Sequence, residues 1–280
     1  MLRAFQTLCR AYPECAAPGD AGLGMRIWTR ILYLQIRQLL GGAMPPFLNL
    51  GYAAGDLIPL DPEDEPFRLF IQLYEALVQK TPLAGRDVLE IGCGTGGGCA
   101  YLHRYHAPAT LRGVDLIEQN IGECRQRCSP RIAFAVCDAE SLDVPDCSCD
   151  VAISVESSGH YPSMQRFARE VKRVLRPGGW FLLADLRPAS VEWGEGRGLP
   201  DLLRHLTAAG LTVIDSHSIS EGVLRSIDAQ EEGRQMFLRA LAAEGNMLSH
   251  LREILLTSDS TNYRMLRDGS LQYWSLACRA

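Results

Sequence analysis

"DVLEIGCGTGGGCAYL", residues 87–102, decides the fold of this 280-residue chain. An apolar run, Val88 to Ile91, ends in glycines at 92, 94, 96, 97 and 98. Gly92, Gly94 and Gly97 satisfy G-x-G-x-x-G, a strand-to-helix turn where backbone passes close to a ligand. The glycines alone fit a nicotinamide dinucleotide and a simpler nucleoside cofactor equally well.

Further short, β-rich runs follow this turn: "TLRGVDL" (110–116), "RIAFAVC" (131–137), "DVAISVE" (150–156) and "GWFLLADL" (179–186). Helical patterns lie between them. In "SMQRFAREVKRVL" (163–175), Met164, Phe167, Ala168, Val171, Val174 and Leu175 share one face, and Pro177-Gly178-Gly179 ends it. Apolar strands alternating with helices predict an α/β fold: a Rossmann-like, doubly wound parallel sheet covered on both faces. Two more strands are expected late, "LTVIDSHSI" (211–219) and "SLQYWSLAC" (270–278). The helical stretch between them is too long for a plain loop and reads as a cap. Upstream, residues 23–45 form an apolar helical pattern stopped by Gly41, Gly42 and the Pro45–Pro46 pair. A linker, "DLIPLDPEDEP" (56–66), leads to a helix face of Phe67, Phe70, Ile71, Tyr74, Leu77 and Val78. The expected organisation is an N-terminal helical segment and linker (1–85), a core (86–220), a helical cap (221–269) and a last strand (270–280).

Composition narrows the function. Apolar residues make up 47% of the chain, enough for a sizeable core. The net charge is −5 and the basic residues are dispersed, which argues against nucleic acid as a partner. The row Arg166, Arg169, Lys172, Arg173, Arg176 reads as a solvated helix face. There is no run of 18 apolar residues, so no membrane span is expected, and "MLRAFQTLCRAYPEC" lacks the apolar segment of a signal peptide. Ten scattered cysteines then read as reduced thiols in the cytoplasm. Cys93 with Cys99, and Cys147 with Cys149, do not pair into a four-ligand set, so no metal is expected.

Four features bear on the ligand. Glu90 stands just before the glycine turn, a poor place for an anion beside a pyrophosphate but suited to an amino group or a sulfonium. Asp115 ends the second strand, where a carboxylate accepts from both hydroxyls of a ribose. Asp138, in "CDAESL", is placed to accept from an adenine amine or to cap a helix. "RVLRPGGWFLLAD" contains the fifth strand.

Together "VLEIGCGTGGG", "GVDL", "CDAESL" and "RVLRPGGWFLLAD" resemble the class I S-adenosylmethionine-dependent methyltransferases from residue 86 to 186. The resemblance implies seven strands with the last reversed, supplied by "SLQYWSLAC". It places S-adenosyl-L-methionine on Glu90, Gly92, Gly94, Asp115, Leu116, Asp138, Ala139 and Val155. "PFLNLGY", "PLDPEDEPFRLFIQLYEAL", "ESSGHYPS" and "ADLRP" extend it to the phthiotriol-type branch, enzymes that O-methylate lipids and polyketides, and to related macrolide tailoring enzymes. This implies a hydroxylated lipid or small natural product as acceptor. The glycines then serve the methionine part of the cofactor, not phosphates.

His160, after the fourth strand, is the candidate general base, because imidazole titrates near neutral pH. Asp185 ends the fifth strand and is expected to orient the imidazole. Glu156 and Tyr161 flank the same mouth. Tyr52, in "NLGYAAGD", covers the cofactor or packs in the core. A methyltransferase fold acting as a natural-product cyclase, or a C-methyltransferase, is the rival reading, since a fold does not dictate its chemistry.

Overall fold

Seven strands form one sheet in the order β3-β2-β1-β4-β5-β7-β6. They are β1 (Asp87–Ile91), β2 (Thr110–Asp115), β3 (Ala133–Val136), β4 (Cys149–Val155), β5 (Leu175–Pro188), β6 (Thr212–Ser218) and β7 (Leu271–Arg279). The computed structural model describes residues 21–40, 42, 44–53, 57–189, 198–240 and 248–280. The sequence expectations for residues 1–20, for Gly41 and for 241–247 of the cap lie outside these. β1 to β5 run parallel, and β7 pairs antiparallel with both β5 and β6. The class I order with a reversed last strand is therefore present.

The chain winds outward from β1 through β2 and β3, then returns to lay β4 on the other side of β1. That reversal opens a crevice at the carboxyl ends of β1 and β4, the standard ligand position in such sheets. Strand side chains alternate between two apolar layers. Val88, Val151, Ile153, Leu182 and Tyr273 pack on one face with α2 (Arg68–Val78), α3 (Gly97–His106) and α4 (Glu118–Arg127). Leu89, Ile91, Ala152, Phe181 and Leu183 pack on the other with α5 (Met164–Val174) and α6 (Leu199–Ala208). Phe167 and Phe181 are fully buried with ring centres 5.8 Å apart. Truncating either to alanine costs about 3–5 kcal/mol, because the cavity left behind does not close.

The N-terminal helix α1 spans Ala21–Leu39, ending before the expected residue 45. Gly42 turns the chain there with φ +97°, and its N–H donates to the Arg37 carbonyl at 2.9 Å. The expected cap contains α7 (Ser220–Ala240), α8 (Leu248–Leu255) and α9 (Thr261–Asp268). Ile36 of α1 meets Phe237, Leu238, Leu251 and Leu255 in a separate apolar cluster. The Leu50 carbonyl accepts from Ser226 Oγ (3.0 Å), Gln230 Nε2 (3.2 Å) and Arg234 Nη2 (3.3 Å), all on α7. N-terminal segment and cap are thus fastened to each other above the sheet.

Candidate active site

The crevice at β1 and β4 is a cleft of about 890 Å³, counting the space at its mouth that is open to solvent. Gly92, Gly94, Asp115, Leu116, Asp138, Ala139, Val155 and His160 all line it. Eight of the residues singled out from sequence therefore meet in one place. Tyr52, Glu90 and Asp185 stand outside its lining.

Gly92 (φ +76°), Gly94 (φ +54°) and Gly96 (φ +87°) hold left-handed backbone that other residues adopt at a cost. A Cβ on Gly92 would lie 2.4 Å from Ser157 Cβ and 2.8 Å from Tyr161 Oη. This glycine lets the turn after β4 close on the turn after β1. The later glycines serve a different need. A Cβ on Gly97 would meet the Pro46 carbonyl at 2.2 Å, and one on Gly98 would meet the Tyr74 ring at 2.3 Å. Gly97 N–H donates to Pro46 O (2.9 Å), and Thr95 Oγ1 donates to Pro45 O (2.6 Å). Half of the glycine run thus seats the protein's own N-terminal segment.

Asp115 Oδ2 accepts from Gly94 N–H (2.9 Å), and Oδ1 from Ile117 N–H (2.9 Å) and Asn120 Nδ2 (3.3 Å). Burial pushes its pKa up to about 6 against these bonds. Asp138 Oδ1 accepts from Glu140 N–H (2.9 Å) and Oδ2 from Arg26 Nε (2.5 Å). Glu90 lies under the glycine loop, 1% exposed, and its Oε1 accepts from Tyr74 Oη at 2.7 Å. Its Oε2 is buried without a partner, and burial raises the carboxyl to about 7. Tyr74 lines the cleft, so Glu90 reaches it through one phenol.

His160 closes a 3-10 turn, Ser158–His160, with its ring edge-on to Tyr33 at 6.1 Å. Asp185 anchors that turn: Oδ2 accepts from Ser158 Oγ (2.5 Å) and Gly159 N–H (3.1 Å), and Oδ1 from Leu186 N–H (2.8 Å). Its contacts act on the loop that carries the imidazole. Arg187, 4% exposed, donates to Ser158 Oγ and stands 3.5 Å from Asp185 Oδ2. Glu156 lines the cleft with a left-handed backbone, φ +48°. Its Oε1 accepts from Leu50 N–H and Tyr273 Oη, both at 2.7 Å, and burial raises it to about 7. Tyr52 packs on α7: a Cβ on Gly222 would fall 2.1 Å from its ring. Of the two readings for Tyr52, packing matches its position.

The sequence reading missed Arg26, Thr29 and Tyr33, which α1 places along the cleft. A signal existed. Arg26, Thr29, Tyr33 and Arg37 recur at i, i+3, i+7 and i+11, a polar stripe on a helix read for its apolar residues. The tyrosine's hydroxyl is held well above its usual pKa by burial and then by Asp115, Glu156 and Asp185. Among the described residues, no cluster of His, Cys, Asp and Glu fits a metal ion, and no helix is long and apolar enough to cross a membrane. The basic row is engaged locally: Arg173 pairs with Glu170 and Asp146, and Arg176 with Asp87 and Asp150.

A family model described as a methyltransferase domain matches residues 89–183. The chain is 35% identical over 270 residues to a phthiotriol/phenolphthiotriol dimycocerosates methyltransferase of Mycobacterium tuberculosis, covering 94% of this chain and 96% of that one. It is 40% identical over 185 residues to a fatty-acid O-methyltransferase of Mycolicibacterium smegmatis, 65% of each chain. Among solved structures, the [4+2]-cyclase SpnF superposes with a TM-score of 0.66 at 21% identity, over 91% of this chain and 94% of that one. At that identity the likeness is one of fold.

Proposed function

This chain belongs to the phthiotriol-type family of S-adenosylmethionine-dependent methyltransferases, and on that premise we propose that it methylates a hydroxyl of a lipid, polyketide or macrolide-like acceptor with His160 as general base. S-adenosylmethionine supplies the methyl group as an activated sulfonium. The residues present fit that cofactor. Asp115 lines the cleft and retains acceptor capacity toward a ribose, and Glu90, beneath the glycine turn, keeps a buried oxygen without a partner. Leu116, Ala139 and Val155 offer apolar walls to the nucleoside.

The observation that carries the base assignment is that His160 lines the same cleft as Asp115, Leu116, Ala139 and Val155. An aliphatic hydroxyl is a weak acid, so its proton must be taken as the oxygen attacks. His160 takes that proton on its imidazole. Asp185 and Ser158 fix the turn, and Tyr33 fixes the ring face. The lipid acceptors in the names of the relatives support an apolar substrate, and α1 borders the cleft that would hold it. The eight described cysteines are free, which supports a reducing compartment, the cytoplasm.

The test is single-turnover methyl transfer to hydroxylated fatty and polyketide acceptors. His160→Ala should slow transfer by about 10²–10⁴-fold with S-adenosylhomocysteine affinity kept. A carboxylate acceptor is already ionised and needs no base. Wild-type rates in His160→Ala would therefore remove the base and move the reading to a carboxyl group. Acceptor conversion without release of S-adenosylhomocysteine would move it to a cyclase.

A further inference from the structure

Arg26 pairs with two acidic residues of the turn after β3, Asp138 lining the cleft and Glu140 reaching the loop after β4. Its Nε donates to Asp138 Oδ2 at 2.5 Å, and its Nη2 donates to Glu140 Oε2 at 2.9 Å. The other oxygen of Glu140 accepts from Ser163 N–H at 2.7 Å. Ser163 is the N-cap of α5 and follows the His160 turn by two residues. Glu140 is nearly closed off, with 2% of its side chain exposed, while the Arg26 side chain is 20% exposed. One fork-shaped guanidinium thus joins the cofactor-side carboxylate to the acceptor-side loop, through a carboxylate that has nowhere else to turn.

The helix that carries Arg26 makes further polar contacts of this kind. Arg37, three turns on, donates to Glu123 and to Asn120 Oδ1 (2.9 Å), and Asn120 donates to Asp115. Both ends of the polar stripe on α1 therefore meet a cofactor-side carboxylate, directly at Asp138 and through one amide at Asp115. A ligand that fills the cleft presses on the same stripe, since Arg26 and Tyr33 line it.

We propose that Arg26 is a positioning residue that couples occupancy of the cofactor end of the cleft to the order of the acceptor loop, along the path Asp138–Arg26–Glu140–Ser163. The proposal rests on the reading that puts the cofactor on Asp138. When the cofactor holds Asp138 and α1 in place, the guanidinium holds Glu140, and Glu140 holds the amide that starts α5. The loop carrying His160 then opens less often when the methyl donor is bound. Methionine at position 26 would leave Glu140 a buried charge without its cation, which breaks the link. Lysine would keep the charge but lose the fork that reaches both carboxylates.

The Ser163 amide is itself the reporter. Its hydrogen exchange, followed by NMR on the full chain with and without saturating S-adenosylhomocysteine, measures the coupling. Wild type should show exchange slowed by about tenfold or more on binding, within the usual range of coupling between sites. Arg26→Met and Glu140→Gln should both lose that slowing, and Arg26→Lys should keep part of it. Glu140→Gln cuts the path away from Asp138, so it decides the matter even where Arg26→Met does not fold. Equal slowing in Glu140→Gln and wild type, or none in wild type, overturns the proposal. Asp138→Asn with unchanged S-adenosylhomocysteine affinity would instead remove the cofactor from Asp138, an outcome read by calorimetry and separate from the exchange result.

Discussion

Glu90→Gln should flatten the pH dependence of cofactor binding. The carboxyl is 1% exposed and raised to about 7 by burial, with Tyr74 on one oxygen and nothing on the other. On the proposed binding mode, the ammonium of the methionine part, shared by S-adenosylmethionine and S-adenosylhomocysteine, favours its ionised form, so the proton must leave for tight binding. With a free-state pKa of about 7, only about a tenth of the protein is ionised there at pH 6. Affinity should then be about tenfold weaker at pH 6 than at pH 8 from this group alone. Asp115, raised to about 6, adds about another factor of two, for about twentyfold together. In Glu90→Gln only about the twofold part should remain, on top of a loss that does not vary with pH. Titration calorimetry with S-adenosylhomocysteine at pH 6, 7 and 8 reads this directly. In buffers of different ionisation enthalpy, proton release should also fall in the variant to the smaller part that Asp115 supplies. The unfolded carboxyl titrates near 4.5, so the free protein should lose stability as pH rises from there through about 7 and level off above it. An unchanged twentyfold slope in Glu90→Gln, or tighter binding toward low pH in wild type, would refute the reasoning.

Gly92→Ala combines left-handed backbone with a 2.4 Å clash against Ser157, and should destabilise by about 2–5 kcal/mol. Gly94→Ala meets only the flexible tip of Leu48 at 3.0 Å and should cost about 1–2 kcal/mol; equal denaturant midpoints for the two would contradict this. Glu75, held down at about 2 by His106 and Tyr101, should contribute stability that is full above its ordinary value of 4.5 and lost as pH falls through 2. Glu75→Gln should therefore narrow the difference between melting temperatures at pH 7 and pH 3, and an unaltered difference would exclude that role.

The strands were legible because each is a short apolar run bounded by turn residues, and period and composition are local. β1 matches its expected limits, and β7 is displaced by one residue. β5 begins at Leu175, four residues before the expected start, since Leu175 already pairs with Cys149 and the Arg-Pro-Gly-Gly tract bulges out before Trp180 pairs with Val151. Asp115 and Asp138 were legible because strand order alone sends them to the crevice. Arg26 and Tyr33 were not, because they lie 112 and 127 positions from Asp138 and His160 respectively, and no local pattern records which helix face meets which loop. The glycine run was legible as close approach. It did not reveal that Gly97 and Gly98 are approached by Pro46 and Tyr74.

Glu156 shows why the acceptor side needs both ends of the chain. Its carboxylate is shared by Leu50 N–H and Tyr273 Oη, residues 223 positions apart, while the Leu50 carbonyl is taken by α7. The N-terminal segment, the cap and the reversed strand therefore converge on one residue just after β4. A positive φ at a glutamate is strained, and β4 alone has no reason to hold it. Leu50 and Tyr273 hold its carboxylate, and their two hydrogen bonds oppose the rise in pKa that burial imposes. Half-ionised near neutrality and facing the cleft, Glu156 is placed to bind an acceptor hydroxyl as donor or acceptor. In the proposed reaction His160 is the base and Glu156 a hydroxyl-binding group, since Asp185 fixes the His160 turn while segments from both ends of the chain hold Glu156.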